Sequence, residues 1–215
     1  MISAAEFEAR ETDRLKAFSD GVIAIVITLL VLEISVPVVP PGSPSGTLPG
    51  LVAEQWHELF GFAFSFLIIG LYWMLHRRVF LYIDRHDRTI LWLNLVFLLF
   101  VAFVPYAVSM FTTYPTFFGV AFYAGVQVLA GLSLAALWAY SARTSLFKDG
   151  LPTRVARVQG ARFLATPFVF LLSIAVAALD PTLAILSWFV LLPVNAGFEA
   201  RLKSDLGERT DDSPI

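Results

Sequence analysis

The chain contains no cysteine, which excludes disulfides, thiolate metal sites and a cysteine nucleophile. Charge is scarce as well: only 15% of the 215 residues are Asp, Glu, Lys or Arg, against about 25% in ordinary soluble domains. No H-E-x-x-H, P-loop or G-x-S-x-G signature occurs, so an enzyme would have to work without a familiar nucleophile, metal cluster or cofactor motif. T-x-G-Y-G is missing too, so a filter made of looped backbone carbonyls is not available. The opening residues "MISAAEFEARETDR" are charged and do not lead into a short apolar core, so no cleaved signal peptide is expected. There is no internal repeat, and no pair of short Gly/Pro-broken hydrophobic segments in matching positions, which weakens an inverted-repeat carrier reading.

What is present is apolar. Hydrophobic residues make up 58% of the chain, with twenty phenylalanines and five tryptophans, and the fold class expected is an all-α integral membrane protein. Uncharged stretches predict six transmembrane helices at about 17–36, 54–76, 89–111, 116–142, 161–179 and 182–199. No charged residue occurs from Thr89 to Ala142. That is too long for one helix, and "MFTTYPTF" supplies the turn because proline disfavours helix at the residue before it. Asp180-Pro181 separates the last two spans. All fifteen Lys and Arg fall in the N-terminal segment, at 77–88, between 143 and 162, or after 200; the connections 37–53, 112–115 and 180–181 have none. Because Lys and Arg concentrate on the cytoplasmic side, both termini are expected there, in a multi-pass protein of the cell membrane. Residues 1–202 read as a single six-helix domain, and 203–215 as a polar, disordered tail. The basic "DRHDR" at 84–88 fits an inner loop, not nucleic-acid recognition.

Span one raises a question. Only twelve residues separate Asp20 from Glu33, about 18 Å of helix at ~1.5 Å per residue, whereas a ~30 Å hydrocarbon core asks for about 20 apolar residues. Asp20 either caps the helix or lies at membrane depth, where an ionisable group usually faces a partner or an aqueous cavity. Pairing of Asp20 with Arg14 is expected between helices or subunits, and Glu33 is expected to sit at the outer interface. Ile25, Leu29 and Leu32 step by four and three and stack along one face, with Thr28 at its edge. Such a stripe faces lipid or a packed neighbour as readily as anything functional. His76 in "YWMLHRRVF" and Asn94 in "TILWLNLVFLL" lie at the same level as Asp20, so these three suggest a buried polar network; the alternative is an interfacial His76 beside Arg77 and Arg78. Glu54, His57 and Glu58 in "EQWHE" have a spacing that could hold a metal, though at an interface they are expected to be solvated, and no metal site is assigned.

Arg14-x-x-x-Phe18-Ser19-Asp20, continuing "GVIAIVITLLVLE", resembles the signature that opens the first helix of the lysosomal potassium channel family, transmembrane protein 175. "YWMLHRRVF" and "WLNLVFLLFVAFVPY" are similar to the family's spans two and three. The resemblance is specific over about 14–36 and 72–106 and architectural from 116 onward. It implies a prokaryotic member with one six-helix repeat that assembles as a homotetramer, the first helix of each subunit lining a central pore. It further implies a potassium-preferring cation channel, not an enzyme, with no cofactor beyond the permeating monovalent cations. By position after the motif, Ile25 is the hydrophobic constriction, with Leu29 and Leu32 as further layers, and Thr28 is the pore-facing selectivity residue. Arg14, Phe18, Ser19 and Asp20 are the family motif, with His76 and Asn94 supporting the inner mouth. The competing reading is a secondary transporter or proton-coupled carrier that uses Asp20 and His76 as a relay.

Overall fold

The computed structural model describes the backbone of residues 4–44, 46–83, 87–144, 146–147 and 151–211, and side chains from 10 to 202 within those ranges. Helices account for the ordered elements: α1 (Ala4–Leu29) with a 3-10 turn (Leu30–Glu33), α2 (Thr47–Glu54), α3 (Trp56–Tyr82), α4 (Arg88–Ala102), α5 (Val104–Thr113), α6 (Phe117–Arg143), α7 (Thr153–Ala177), α8 (Pro181–Ser187), a 3-10 turn (Trp188–Val190) and α9 (Leu191–Asp211). Among the described residues no strand forms, only an isolated bridge between Ile83 and Phe147.

Six stretches of the described residues are long and apolar enough to cross a membrane: Arg10–Glu33, Trp56–Tyr82, Arg88–Thr113, Phe117–Arg143, Thr153–Ala177 and Pro181–Leu202. The expected spans coincide with these, but several helices are longer. Span five starts at Thr153, not 161, and span two runs to Tyr82, past 76. The apolar run measures only the part of a helix suited to hydrocarbon. Exposed Arg154, Arg157 and Arg77 continue the helices without ending them, since arginine is a good helix former. Residues 84–86 of the "DRHDR" connection lie outside the described residues. The backbone of α9 is helical as far as Asp211, so the expected polar tail begins within this helix; no side chain beyond 202 and nothing of 212–215 is described.

Prolines explain the interruptions. Span three breaks at Phe103 between α4 and α5, where Pro105 has no N–H to give the carbonyl of Val101. In span six, Pro193 deprives the carbonyl of Phe189 of a partner, and the turn Trp188–Val190 is 3-10. Pro167 stands inside α7 and lies against Gly131 of α6: a Cβ on that glycine would come 2.7 Å from the proline Cδ. The two backbones therefore approach as closely as only glycine permits.

The most thoroughly buried span is α6. Beside it Trp188 is completely buried, with the rings of Phe64, Phe111, Tyr123 and Phe170 at 5.0–5.6 Å. Its indole N–H donates to Ser173 Oγ at 2.9 Å, so the polar handle of this hub is satisfied away from water. Asp87 fastens the ends of two helices. It caps α4 by accepting from the Ile90 N–H at 2.9 Å and takes the Tyr140 hydroxyl of α6 at 2.6 Å. Desolvation by itself pushes its pKa up, but the bonds from Tyr140 and from backbone N–H groups outweigh it, and the carboxyl is held below its ordinary value.

Two outcomes follow from this packing. Gly131→Val forces α6 from α7, and overpacking of this kind costs about 1–3 kcal/mol or more; the melting temperature of the detergent-purified protein is expected to fall, whereas Gly125→Ala, with open space beside it, leaves it nearly unchanged. Because the folded pKa of Asp87 is lower than the unfolded one, its contribution is complete at neutral pH and is lost as pH drops through the depressed value. Melting temperatures between about pH 5 and 3 should therefore fall more steeply for the parent protein than for Asp87→Asn.

Candidate functional site

The polar residues singled out in the sequence meet where α1, α3 and α4 pack. Ser19, Ile23, Val26 and Leu30 step by four, three and four around α1, and all are buried. They form the face that α1 turns toward its own subunit. Asn94 of α4 and His76 of α3 are buried too. The His76 Nε2 and Asn94 Oδ1 atoms lie 2.8 Å apart, Asn94 Nδ2 donates to Ser19 Oγ at 2.9 Å, and Ser19 Oγ donates to the Leu15 carbonyl at 2.9 Å. With Oδ1 accepting, Nε2 carries a hydrogen, and every link runs in one direction. The His76 ring stacks on Phe97, centroids 5.3 Å apart and planes 12° from parallel, and touches Phe80 at 4.7 Å. Aromatic packing thus fixes the ring that the amide orients.

Asp20 is a neighbour of this chain, not a link in it. The expected network of Asp20, His76 and Asn94 is instead closed by Ser19. Asp20, one position further around α1, stays exposed and accepts from the Trp73 indole at 2.8 Å. It is no N-cap, because α1 begins at Ala4. Arg14 turns to Glu11 at 2.8 Å on its own helix, and Phe18 is half exposed. A cavity of about 200 Å³ lies between α1 and α3, bordered by Lys16, Asp20, Trp73, His76 and Arg77. Trp73 went unassigned in the sequence. Its signal was there, since it stands three residues before His76 and so shares that side of α3.

The other side of α1 is uncovered. Ile25 is 60% exposed, Leu29 42% and Leu32 74%, and Thr28 is exposed between them, its hydroxyl donating to the Ile25 carbonyl at 2.7 Å. Further out, Glu58 accepts from the Ser35 N–H at 2.8 Å and Gln55 donates to the Ser35 carbonyl at 2.6 Å, pinning the chain that leaves span one. His57 packs on Trp56, and Glu54, His57 and Glu58 do not gather into a cluster of three metal-ligating side chains; none forms among the described residues.

The sequence also missed a charge cluster. Glu199 of α9 receives Arg78 of α3 at 2.5 and 2.6 Å and Arg162 of α7 at 2.7 Å. Its signal was a lone carboxylate in span six facing a chain rich in arginine at the same membrane level.

If the polar chain sets how α1 sits, Asn94→Leu leaves the His76 N–H without an acceptor, at roughly 1–3 kcal/mol. The absence of native cysteine makes a thiol reporter clean: Val26→Cys is expected to be shielded from maleimide in the parent and to label faster alongside Asn94→Leu. Unchanged labelling and melting would show that the chain is dispensable.

Known proteins resemble this chain in sequence and fold. A family model described as the endosomal/lysosomal potassium channel TMEM175 matches residues 14–105, the region holding Ser19, His76 and Asn94. A protein of Streptomyces collinus named a potassium channel is 36% identical over 181 residues, covering 81% of this chain and 86% of that one. The crystal structure of a lysosomal potassium-selective channel TMEM175 homolog from Chamaesiphon minutus superposes with a TM-score of 0.74 at 28% identity, over 90% of this chain and 98% of that one. The Gallus gallus endosomal/lysosomal proton channel TMEM175 is 35% identical over 108 residues, but this chain spans only 22% of its length. With six membrane-crossing helices, that similarity across most of its length, and the motif helix packed on spans two and three, the chain belongs to the TMEM175 family of ion channels.

Proposed function

We propose that this protein is a potassium-preferring cation channel, a homotetramer whose pore is lined by the first helix of each subunit. The observation that carries the reading is the asymmetry of α1. One face is buried through Ser19, Ile23, Val26 and Leu30, while the apolar face with Ile25, Leu29 and Leu32 is left largely exposed among the described residues. The names of the Streptomyces and Chamaesiphon relatives support potassium as the permeant ion.

Around a fourfold axis, Ile25 forms the narrowest ring and Leu29 and Leu32 further layers, an apolar constriction that closes by dewetting. Thr28 spends its proton on the Ile25 carbonyl and presents a lone pair to a passing cation. Asp20, held by Trp73, contributes one of four carboxylates near the inner mouth, where a ring of negative charge concentrates cations. Arg14 and Phe18 complete the motif at that end, and the Ser19–Asn94–His76 chain sets the tilt and rotation of the pore helix. Both termini and the arginine-bearing connections lie in the cytoplasm, in a protein of the prokaryotic plasma membrane with residues 1–202 as one channel domain. An axial position also answers the question of span one, because Asp20 then meets water instead of lipid.

Purified protein in planar bilayers is expected to give single-channel steps with reversal potentials displaced toward the potassium equilibrium potential under opposed potassium and sodium gradients. Ile25→Asn wets the constriction and should raise conductance several-fold while reducing the preference for potassium. Absence of cation flux, or saturable coupled uptake without unitary steps, would favour the carrier reading instead. An Ile25→Asn channel with parent-like conductance would remove Ile25 from the pore.

A further inference from the structure

Turned away from α1, helix α3 carries a second continuous feature. A groove of about 240 Å³ runs between α3 and span six, walled by Phe64, Leu71 and Met74 on one side and by Trp188 and Leu192 on the other. Met74 also borders a cavity of about 360 Å³ whose remaining walls are Arg77, Arg78, Leu81 and Tyr82. Positions 64, 67, 71, 74, 78 and 81 step by three and four, so they form one line along the helix. The apolar part, from Phe64 to Met74, is about 15 Å long at ~1.5 Å per residue. That is half of a ~30 Å hydrocarbon core, the depth of a single leaflet.

Among the described residues, the polar end of this line has more positive charge than it neutralises. Glu199 is shared between Arg78 and Arg162. The Nε of Arg162 is buried without a partner, and Arg77 is exposed with no ion pair among the described residues. An apolar segment of another polypeptide would fill the groove but leave this excess unmatched. A lipid with a negative headgroup supplies both halves: a chain for the groove, and phosphate oxygens for guanidinium forks, which suit them geometrically.

We propose that the groove between α3 and span six holds an acyl chain of an anionic phospholipid whose phosphate rests on Arg77 and Arg78, making this a lipid site selective for headgroup charge. Basic pockets between membrane helices bind acidic headgroups in this way. The groove lies on the flank of α3 opposite the polar chain, with Arg77 between the two, and the site does not rest on the assignment of the pore. Since Arg77 also borders the cavity beside Asp20, lipid contact is the informative readout, not ion flux.

The full chain lacks cysteine, so Leu192→Cys can be labelled with a single fluorophore and reconstituted with phospholipids carrying brominated acyl chains. Brominated phosphatidylglycerol is expected to quench the label at several-fold lower mole fraction than brominated phosphatidylcholine. Arg77→Gln should abolish that difference and Arg77→Lys largely restore it. Equal quenching by both headgroups overturns the proposal. So does the lack of quenching by either, which would mean that a second copy of the chain covers the groove. Native mass spectrometry of the unlabelled protein makes the comparison without a probe: retention of phosphatidylglycerol over phosphatidylcholine by the parent but not by Arg77→Gln is expected, and equal retention by the two proteins counts against the site.

Discussion

Hydrocarbon offers no hydrogen bond, so a polar side chain buried among membrane helices must find its partner in the protein. The chain from His76 through Asn94 and Ser19 to the Leu15 carbonyl meets that requirement for three helices at once. Its consequence is rotational. Ser19 belongs to the same face as Ile23, Val26 and Leu30, so fastening one side chain fastens the whole helix about its axis. The face with Ile25, Thr28, Leu29 and Leu32 is then the one left open. Dispersion alone would barely distinguish the two, because both faces of α1 are made of leucine, isoleucine and valine, and lipid tails are as apolar as either.

Helix α3 connects this arrangement to the rest of the bundle at several depths. The Ser65 hydroxyl meets the Tyr123 hydroxyl at 3.0 Å, the Tyr72 hydroxyl donates to the Gln127 carbonyl at 2.7 Å, and Arg78 reaches Glu199. Alongside these ties lie the Trp188 hub and the close approach of Gly131 to Pro167. Spans two to six thereby form a platform against which α1 is oriented by polar groups and held by packing. The Arg78–Glu199–Arg162 cluster adds little net stability. Removing charges from water costs several kcal/mol per ion, and the pairing offsets this only in part. It does tie α3, α7 and α9 together in register and concentrates positive charge at one level of the bundle.

The two sides of α3 thus serve different solvents. One borders the polar chain and the cavity beside Asp20; the other presents an apolar groove that ends in arginines. The support for α1 and the apolar groove thereby share a single element, with His76 and Arg78 only two residues apart.

Much of the molecule is legible in the amino-acid sequence. Hydrophobic content and the sparing placement of charge are sufficient for six spans, because transfer to hydrocarbon is decided by composition along about twenty residues. The prolines at 115 and 181 mark their turns for equally local reasons. His76 and Asn94 stand out as polar groups where polarity is expensive. Periodicity also separates Ile25, Leu29 and Leu32 onto one face, but periodicity describes a helix by itself and cannot say what lies opposite it. Only the tertiary structure decided which face of α1 is covered and that Ser19 rather than Asp20 joins Asn94. The same holds for Glu199, which gathers arginines from helices more than a hundred and about forty residues away in sequence. Those outcomes depend on how separate helices meet, and a partner contributed by another helix leaves no trace in the spacing of the first.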